Sequence, residues 1–318
     1  MRIAFATLLA LALAPLARAE FDCVANAPRC IDVEIPVPQG LIVPENHVRV
    51  FLPTGYATSG KSYPVLYLLH GAGDTYKTWS SNTDVYELTA CLDVIVVMPD
   101  GGRNSEAGWY SDWADGSRQW ETFHIDVLIP YVDTNFRTNG KRVIAGLSMG
   151  GFGTMHYAAR YPGLFAAAAS FSGALDTLYG FPVSGVAFAA LHDQFGTPND
   201  DVWGNQITDE KNWEDNNPAS LAASLKGTPL FLASGDGIPG ASVASPLVGG
   251  PGSHEDPANP AGYLIEAFIF QMNLSFVLHL DLAGVTHTDW FYPGGHHDWP
   301  YWQDDLHWAL PQLLEVIQ

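Results

Sequence analysis

The chain has 318 residues, of which 47% are hydrophobic and 15% charged, and its formal net charge is −20. A surface this acidic argues against nucleic acid or an anionic membrane as a partner, because like charges repel. After the N-terminal segment, about 300 residues remain, enough for one large α/β domain or for two small ones.

Residues 1–19 have the layout of a secretory signal peptide. Arg2 precedes an apolar run that ends in Ala17-Arg18-Ala19, and this run is too short and wrongly flanked for a membrane span. We therefore predict that residues 20–318 form a single exported domain, secreted to the periplasm or the extracellular space. No later apolar run is long enough without interruption to cross a bilayer, so we expect no membrane insertion.

Three cysteines remain in the mature chain. Cys23 and Cys30 flank a short turn-like stretch, and export permits disulfides, so we predict a bridge between them. Closing so small a loop would stabilise the fold by about 2–3 kcal/mol. Cys91 ends a predicted helix and is expected to be a buried, inert thiol. No Cys/His spacing resembles a zinc site, and we expect no metal and no cofactor.

Short apolar runs recur along the chain, and several are nearly continuous, as is typical of strands buried on both faces. Helices are predicted between them at 78–91, 119–136 and 149–161, and another closes the chain. This alternation predicts an α/β fold with a mainly parallel sheet covered by helices on both faces. The apolar runs are residues 48–52, 65–70, 94–98, 142–147, 166–172 and 229–234.

The sequence "RVIAGLSMGGFGTMHYAARYP" reads as a strand, a turn and a helix, and residues 146–150 match G-x-S-x-G. In such a turn, small neighbours let the backbone pass closely while Ser148 is presented at a helix N-terminus, which favours negative charge. We therefore predict that Ser148 is a nucleophile. The alternative is a glycine-rich turn with an incidental serine.

A serine hydroxyl is a poor nucleophile without a base, and the order of residues in such folds puts the histidine last. His296 and His297 follow a predicted strand at 285–292 and precede the final helix. Either could be the base. His287 and His307 are expected to be surface or packing residues.

An oxyanion hole requires two backbone N–H groups. One should come from Met149, the residue after the nucleophile. The other should come from the loop after the earlier buried strand, "LYLLHGAGDTYKTW", with Ala72 as the donor. An ordinary glycine turn is the alternative for that loop.

Two segments look like excursions from the sheet. Residues 176–227 are polar and aromatic, and residues 237–262 are rich in Gly, Pro and Ser and long for a connection. The acidic residues of the first segment could form a calcium site, and a solvated acidic loop is the alternative. No EF-hand spacing is present. The candidate ligands are Asp193, Asp200, Asp201, Asp209 and Glu210.

From about residue 45 to the C-terminus, the chain resembles the esterase D group of α/β-hydrolases, which includes feruloyl esterases, S-formylglutathione hydrolases and mycolyltransferases. The resemblance implies the α/β-hydrolase fold and a serine esterase acting on small or polymer-linked esters. It is carried, in this order, by "LLHGAGDTYKTW", "GWYSDW", "QWETF", "GLSMGGFGTM", "YPGLFAAAASFSG" and "GGHHDWPYW".

The resemblance also bears on two site residues. The histidine of the group directly precedes an Asp/Ser-Trp pair, which selects His297. From the residues alone, the acid is first sought at Asp236, just past a strand, whereas in the mycolyltransferase-like branch it is a glutamate early in the next helix, which matches Glu266. We favour Glu266, with Asp236 as the alternative and Glu255 and Asp256 as further candidates.

The resemblance leaves the substrate open. Mycolyltransferases have an acidic residue where this chain has His70, so trehalose recognition cannot be carried over. We expect hydrolysis of feruloyl, acetyl, short-chain or aryl esters, with acyl transfer to a sugar or alcohol as the alternative and an inactive glycan- or partner-binding module as a third possibility. An aromatic cleft for the acyl group is predicted from Trp109, Tyr110, Trp113 and Trp120.

Overall fold

The computed structural model describes residues 21–102, 106–180, 188, 197, 200–240 and 260–318, and eight strands within them form one sheet. In chain order the strands are β1 (Cys30–Glu34), β2 (His47–Phe51), β3 (Tyr63–Leu69), β4 (Ile95–Pro99), β5 (Thr138–Leu147), β6 (Ala168–Phe171), β7 (Leu230–Gly235) and β8 (Thr288–Tyr292).

The strands lie in the order β1-β2-β4-β3-β5-β6-β7-β8. Six neighbouring strands, β4, β3, β5, β6, β7 and β8, pair in parallel. Strand β2 pairs antiparallel with β4 on one side and with β1 on the other. Because parallel strands end at the same edge of a sheet, the loops that follow β3, β5, β7 and β8 meet there. The predicted mainly parallel sheet is confirmed.

Helices connect and cover these strands. In chain order they are α1 (Tyr56–Ser59), α2 (Thr78–Asn82), α3 (Val85–Leu88), α4 (Trp120–Thr122), a π-helical segment (Phe123–Leu128), α5 (Ile129–Asn135), α6 (Met149–Arg160), α7 (Glu210–Asn216), a 3₁₀ turn (Ala222–Leu225), α8 (Pro260–Ala283) and α9 (Trp299–Ile317). The predicted helix at 78–91 is thus two short helices, and the one at 119–136 contains a π-helical stretch before Pro130, which has no N–H to donate.

The core lies on both faces of the sheet. Alternate residues of β3 point to opposite sides: Tyr67 and Leu69 join one apolar cluster, and Leu66 and Leu68 join the other. Helices α6 and α8 pack on the first side through residues that include Phe152 and Phe276, and α9 packs on the second through Leu306, Leu310 and Leu313. Burial on both faces explains why the strands are nearly continuous apolar runs.

The cysteine predictions had different outcomes. The bridge between Cys23 and Cys30 is confirmed, and it ties the first described residues to β1. The prediction for Cys91 was wrong: its thiol is free and exposed. Helix α3 ends at Leu88, so Cys91 lies in the turn that leads to β4 and not on a buried helix face.

Helix α8 is, within the part of the chain that the structure describes, the one helix long and apolar enough to cross a bilayer by length and composition. Glu266 is the only charged residue in its first half, Pro260 to Gln271. Its inner face is buried in the protein and includes Glu266 and Asn273, whose side-chain amide donates to the carbonyl of Gly173 at 2.9 Å. The inner face of α8 is therefore part of the core.

Two sets of predicted residues remain, the further candidate acids and the candidate calcium ligands. Glu255, Asp256 and Asp193 lie outside the described residues. In the acidic segment, the Asp209 carboxylate accepts hydrogen bonds from the Asn205 N–H at 2.8 Å and the Thr208 hydroxyl at 3.0 Å. Asp209 therefore holds its own loop together.

Candidate active site

Ser148 lies at the sharp turn between β5, which ends at Leu147, and α6, which begins at Met149. Its φ of 51° and ψ of −118° are rare for a residue with a side chain, and such strain persists only where the surroundings impose it. The Ser148 N–H donates to the Phe171 carbonyl of β6 at 2.9 Å. The turn thereby directs the hydroxyl away from the sheet at the start of the helix.

Close packing of the backbone explains the glycines on either side of Ser148. A Cβ on Gly146 would lie 2.3 Å from the carbonyl oxygen of Gly150, and a Cβ on Gly150 would lie 2.3 Å from the carbonyl oxygen of Leu69 in β3. No side chain fits at either position, so the sequence pattern follows from the contact of α6 with β3.

Replacement of Gly150 by alanine should destabilise the protein. Alanine in place of a helical glycine ordinarily stabilises by about 0.5–1 kcal/mol, but here the new methyl would press on backbone atoms, and such overpacking costs about 1–3 kcal/mol. We expect a lower midpoint of urea unfolding and reduced esterase activity as the turn shifts. A Gly150→Ala protein with raised stability would contradict the contact.

Three side chains from separate parts of the chain form a continuous hydrogen-bonded chain. His297 Nε2 lies 2.9 Å from Ser148 Oγ, and His297 Nδ1 lies 2.8 Å from Glu266 Oε2. His297 and Glu266 are 6% and 1% exposed. The edge of the imidazole packs against the ring of Trp302 at 5.0 Å between centroids. This geometry lets the histidine accept the serine proton while the carboxylate stabilises the resulting positive charge.

The Glu266 carboxylate is buried but well satisfied. Its Oε1 accepts hydrogen bonds from the Gly235 N–H at 2.8 Å, the Ser172 hydroxyl at 2.7 Å and the Ser234 hydroxyl at 3.1 Å. Donors to the charged form make burial of a carboxylate tolerable. No sequence pattern pointed to these supporting residues, although each lies at or just past the end of β6 or β7.

Asp236, the alternative acid, makes different contacts. Its Oδ1 accepts hydrogen bonds from the N–H groups of Ile238 at 2.9 Å and Gly294 at 2.8 Å. It therefore ties the loop after β7 to the loop that carries His297. The structure brings together Ser148, His297 and Glu266, and it assigns Asp236 to loop geometry.

The other three histidines considered as the base, at 296, 287 and 307, make contacts outside the triad. The His296 ring packs edge-on against Tyr263 at 4.8 Å and against Gly262, where a Cβ would lie 2.0 Å from the ring. His287 and His307 each pair with carboxylates, as is usual for residues near the surface.

The loop after β3 passes directly against the nucleophile. A Cβ on Gly71 would lie 3.5 Å from Ser148 Cβ, which places Gly71 next to the Ser148 side chain. Met149 begins α6, and the first N–H groups of a helix have no partner within the helix. The loop that contains Ala72 and the start of α6 at Met149 therefore both lie next to Ser148.

His70, which sequence analysis noted only as a departure, holds this loop. Its Nδ1–H donates to the Gly71 carbonyl at 2.8 Å, and its Nε2 accepts from the Gly101 N–H at 2.9 Å. Burial lowers the pKa of His70 to about 4, although the bond to Gly71 acts in the opposite direction. A neutral imidazole with one donor and one acceptor therefore fixes the loop.

Asp74 adds a carboxyl group close to the same loop. Its Oδ2 lies near Gly71, where a Cβ would be 3.2 Å away. Burial raises the pKa of Asp74 to about 8; a hydrogen bond with the Gly71 backbone lowers it, and the nearby Asp298 carboxylate raises it. The raised pKa favours the uncharged carboxyl of Asp74 and moves its ionisation toward mildly alkaline pH.

This ionisation predicts a pH effect. The kcat/KM of the wild-type protein should fall as the pH passes about 8, because a new negative charge opposes the oxyanion. Since the folded state holds this proton more tightly than the unfolded state, the free energy of unfolding also falls as the pH rises from the unfolded pKa of Asp74 to its folded value. Both effects should be missing in Asp74→Asn and retained in Asp93→Asn, an exposed control. An unchanged alkaline limb in Asp74→Asn would contradict the assignment.

The predicted aromatic cleft is not formed by the four residues proposed for it. Trp109, Tyr110, Trp113 and Trp120 are all at most 5% exposed. The prediction of a cleft lined by these side chains was wrong: they are part of the core.

Backbone conformation and close packing explain this burial. Trp109 and Tyr110 adopt positive φ values of 53° and 48°. Tyr110 lies against Gly153, where a Cβ would be 2.6 Å from its ring, and Trp109 packs edge-on against Phe152 at 5.4 Å. The Trp113 indole donates to the Gly108 carbonyl at 3.1 Å. These rings thus fasten the loop that carries them to α6.

Comparison with known proteins supports the resemblance seen in the motifs. The model of the family described as "Putative esterase" matches residues 43–313. Esterase Rv1288 of Mycobacterium tuberculosis is 38% identical over 261 residues, which are 78% of this chain and 52% of that protein. The chain therefore spans about half the length of this relative.

A second relative carries a different name. Diacylglycerol acyltransferase/mycolyltransferase Ag85A of Mycobacterium ulcerans is 30% identical over 277 residues, which are 82% of this chain and 76% of that protein. Among solved structures, Mycobacterium tuberculosis MPT51 superposes with a TM-score of 0.70 at 23% identity, covering 92% of this chain and 100% of that chain. This likeness confirms the predicted α/β-hydrolase fold.

Proposed function

Since the chain belongs to the putative esterase family, we propose that it is a secreted serine esterase that hydrolyses carboxylic esters through an acyl-enzyme. Ser148 is the nucleophile, His297 the base and Glu266 the acid of the triad. The observation that carries the proposal is the continuous hydrogen-bonded chain from Ser148 Oγ through both ring nitrogens of His297 to Glu266.

In the first half-reaction, Ser148 Oγ attacks the ester carbonyl carbon while His297 Nε2 takes the hydroxyl proton. Glu266 keeps Nδ1 of His297 protonated and stabilises the imidazolium. The N–H groups of Ala72 and Met149 bind the oxyanion, and each such donor contributes on the order of 10²–10³ in rate. His297 then gives its proton to the leaving alcohol, and the acyl group stays on Ser148.

In the second half-reaction, water attacks the acyl-enzyme with His297 again as the base. The carboxylic acid leaves and Ser148 regains its proton. Because Glu266 accepts from Ser172, Ser234 and Gly235 on its other oxygen, it stays oriented toward His297 through both steps. No step calls for a metal ion or a cofactor.

Export belongs to the same proposal. Residues 1–19 would be removed as a signal peptide, and residues 20–318 would act as one catalytic domain. The disulfide between Cys23 and Cys30 supports this localisation, because such bonds persist in oxidising compartments. The acidic composition supports an uncharged ester as the substrate in preference to nucleic acid.

Labelling of the folded protein tests the nucleophile. A fluorophosphonate probe should react with one residue, and peptide mass spectrometry should find it on Ser148. Heat-unfolded protein is the control and should not react, because the activated serine exists only in the fold. A folded protein that takes no label would instead favour an inactive binding module. A panel of acetyl, butyryl, feruloyl and aryl esters then identifies the acyl group.

Acyl transfer is the second candidate, and the relatives named mycolyltransferases favour it. The same triad would pass the acyl group to a sugar or alcohol hydroxyl in place of water. Product analysis with and without an acceptor such as glucose or glycerol separates the two. Acylated acceptor as the main product in water would replace hydrolysis as the proposed reaction.

A further inference from the structure

The outer face of α8 exposes a row of leucines. Leu264, Leu274, Leu278 and Leu282 are 56%, 40%, 55% and 78% exposed, although leucine is among the residues most often buried. They lie along one side of the helix, together with the uncharged and exposed Gln271. Since an α-helix rises 1.5 Å per residue, the row from Leu264 to Leu282 is about 27 Å long.

This face is almost free of charge in a strongly acidic protein. The 24 residues of α8 include no lysine or arginine, and their only carboxylates are Glu266 and Asp281. Glu266 is buried and bonded to His297, whereas Asp281, near the C-terminal end, is 66% exposed and pairs with His287 at 3.2 Å. His279, beside Leu278, is also exposed. A largely uncharged apolar surface on a protein of net charge −20 suits an uncharged apolar partner and disfavours an anionic one.

The row begins next to the candidate active site. Leu264 lies two residues before Glu266, and the Gly262 carbonyl accepts a hydrogen bond from the His297 N–H at 3.2 Å. Ile238, which is 57% exposed, follows Gly237, where a Cβ would lie 2.4 Å from backbone atoms of Tyr263 and Ala267. A lipid phase that covers this face would therefore lie close to the triad at the Leu264 end of the row.

The size of the face favours a lipid surface over a second copy of the chain. A strip about 27 Å long and about 10 Å wide covers roughly 270 Å², well below the ~800 Å² that each partner buries in a standard protein interface. An amphipathic helix at a lipid–water boundary needs no matching protein surface, only apolar side chains that enter the lipid. The inner face of α8 is buried in the core, so the helix lies along such a surface and does not cross it.

We propose that the outer face of α8 docks the protein on an uncharged lipid surface and that the ester substrate resides in that surface. The second part rests on the proposed esterase function, and the first does not. The substrate class is accordingly a water-insoluble ester of a long-chain acid, delivered to Ser148 from the lipid phase.

Binding is tested with the Ser148→Ala protein, which isolates docking from catalysis. Flotation with triolein droplets coated with phosphatidylcholine should recover it with the lipid, and Leu278→Glu/Leu282→Glu in the same background should reduce the bound fraction at least tenfold. Ile207→Glu is the matched control, because Ile207 is 74% exposed on another part of the surface and should bind like the parent. Equal binding of all three proteins overturns the proposal.

Activity and oligomeric state complete the test. With Ser148 intact, the double variant should keep its kcat/KM for dissolved p-nitrophenyl acetate and lose at least tenfold on emulsified triolein. A parent that binds droplets but hydrolyses neither ester leaves docking intact and refutes the esterase function. The parent could instead sediment as a dimer, become monomeric on substitution and never bind droplets. That result would identify the face as a homodimer interface and overturn the proposal. If the glutamates prevent folding, Leu278→Gln/Leu282→Gln serves in their place with the same readouts.

Discussion

Ser148→Ala should lower kcat for a soluble ester by about 10⁵–10⁶-fold, since removal of the nucleophile of such a triad has an effect of this size. The remaining rate over water would come from the oxyanion hole and substrate binding. The thermal midpoint should stay near that of the wild type, because the backbone bond from the Ser148 N–H to Phe171 does not involve the hydroxyl. Initial rates on a p-nitrophenyl ester, with circular dichroism for the fold, measure both.

Ser172→Ala is the matched control for this substitution. It removes one hydroxyl donor from Glu266 but leaves the donors Gly235 and Ser234 in place. Its kcat should fall by no more than about tenfold, in keeping with the loss of one hydrogen bond to a charged group. A Ser148→Ala protein that retained several per cent of wild-type activity would mean that another residue is the nucleophile.

Glu266→Gln should lower kcat by about 10⁴-fold, as the amide replacement of the acid does in comparable triads. The amide cannot stabilise the imidazolium, and its NH₂ group facing Nδ1 would favour the wrong tautomer of His297. Glutamine has the same size as glutamate, so its amide oxygen can still accept the hydrogen bonds from Ser172 and Gly235. The pre-steady-state burst of p-nitrophenol should slow in parallel with kcat, which shows that acylation is affected.

Asp236→Asn distinguishes the two candidate acids. The asparagine Oδ1 can still accept from the Ile238 and Gly294 N–H groups, so the loops should stay in place. Its kcat should fall by less than about tenfold, because Asp236 has no role in the proton transfers. The reverse pattern, with Asp236→Asn inactive and Glu266→Gln active, would overturn the proposed triad.

The elements of the fold follow from local patterns. Continuous apolar runs predicted the central strands because residues buried on both faces must be apolar throughout. The elbow was equally readable, since a serine between glycines after a strand and before a helix is a local motif, and the contacts of Gly146 and Gly150 explain it. By contrast, β1 was not predicted, because its alternating residues at the edge of the sheet carry a weaker signal.

The acid illustrates what local patterns could not resolve. Asp236 follows a strand, as the acid does in many hydrolases, and from the residues alone it was the first choice. In the structure its carboxylate bonds to nearby backbone, whereas Glu266 extends from α8 to a histidine 31 residues further along the chain. Which carboxylate meets His297 depends on where α8 packs against β7, a contact that neither segment encodes by itself.

Local sequence patterns were sufficient to predict the α/β class, the position of Ser148, the disulfide and the two candidate histidines. These depend on periodicity, turn chemistry and order along the chain, all of which act over a few residues. Long-range packing, in contrast, brings Glu266 to His297, lets His70 hold the loop beside Ser148, and buries the aromatic residues at 109, 110, 113 and 120 in the core. Their surroundings come from elements distant in sequence, and burial and partners are set only when those elements pack together.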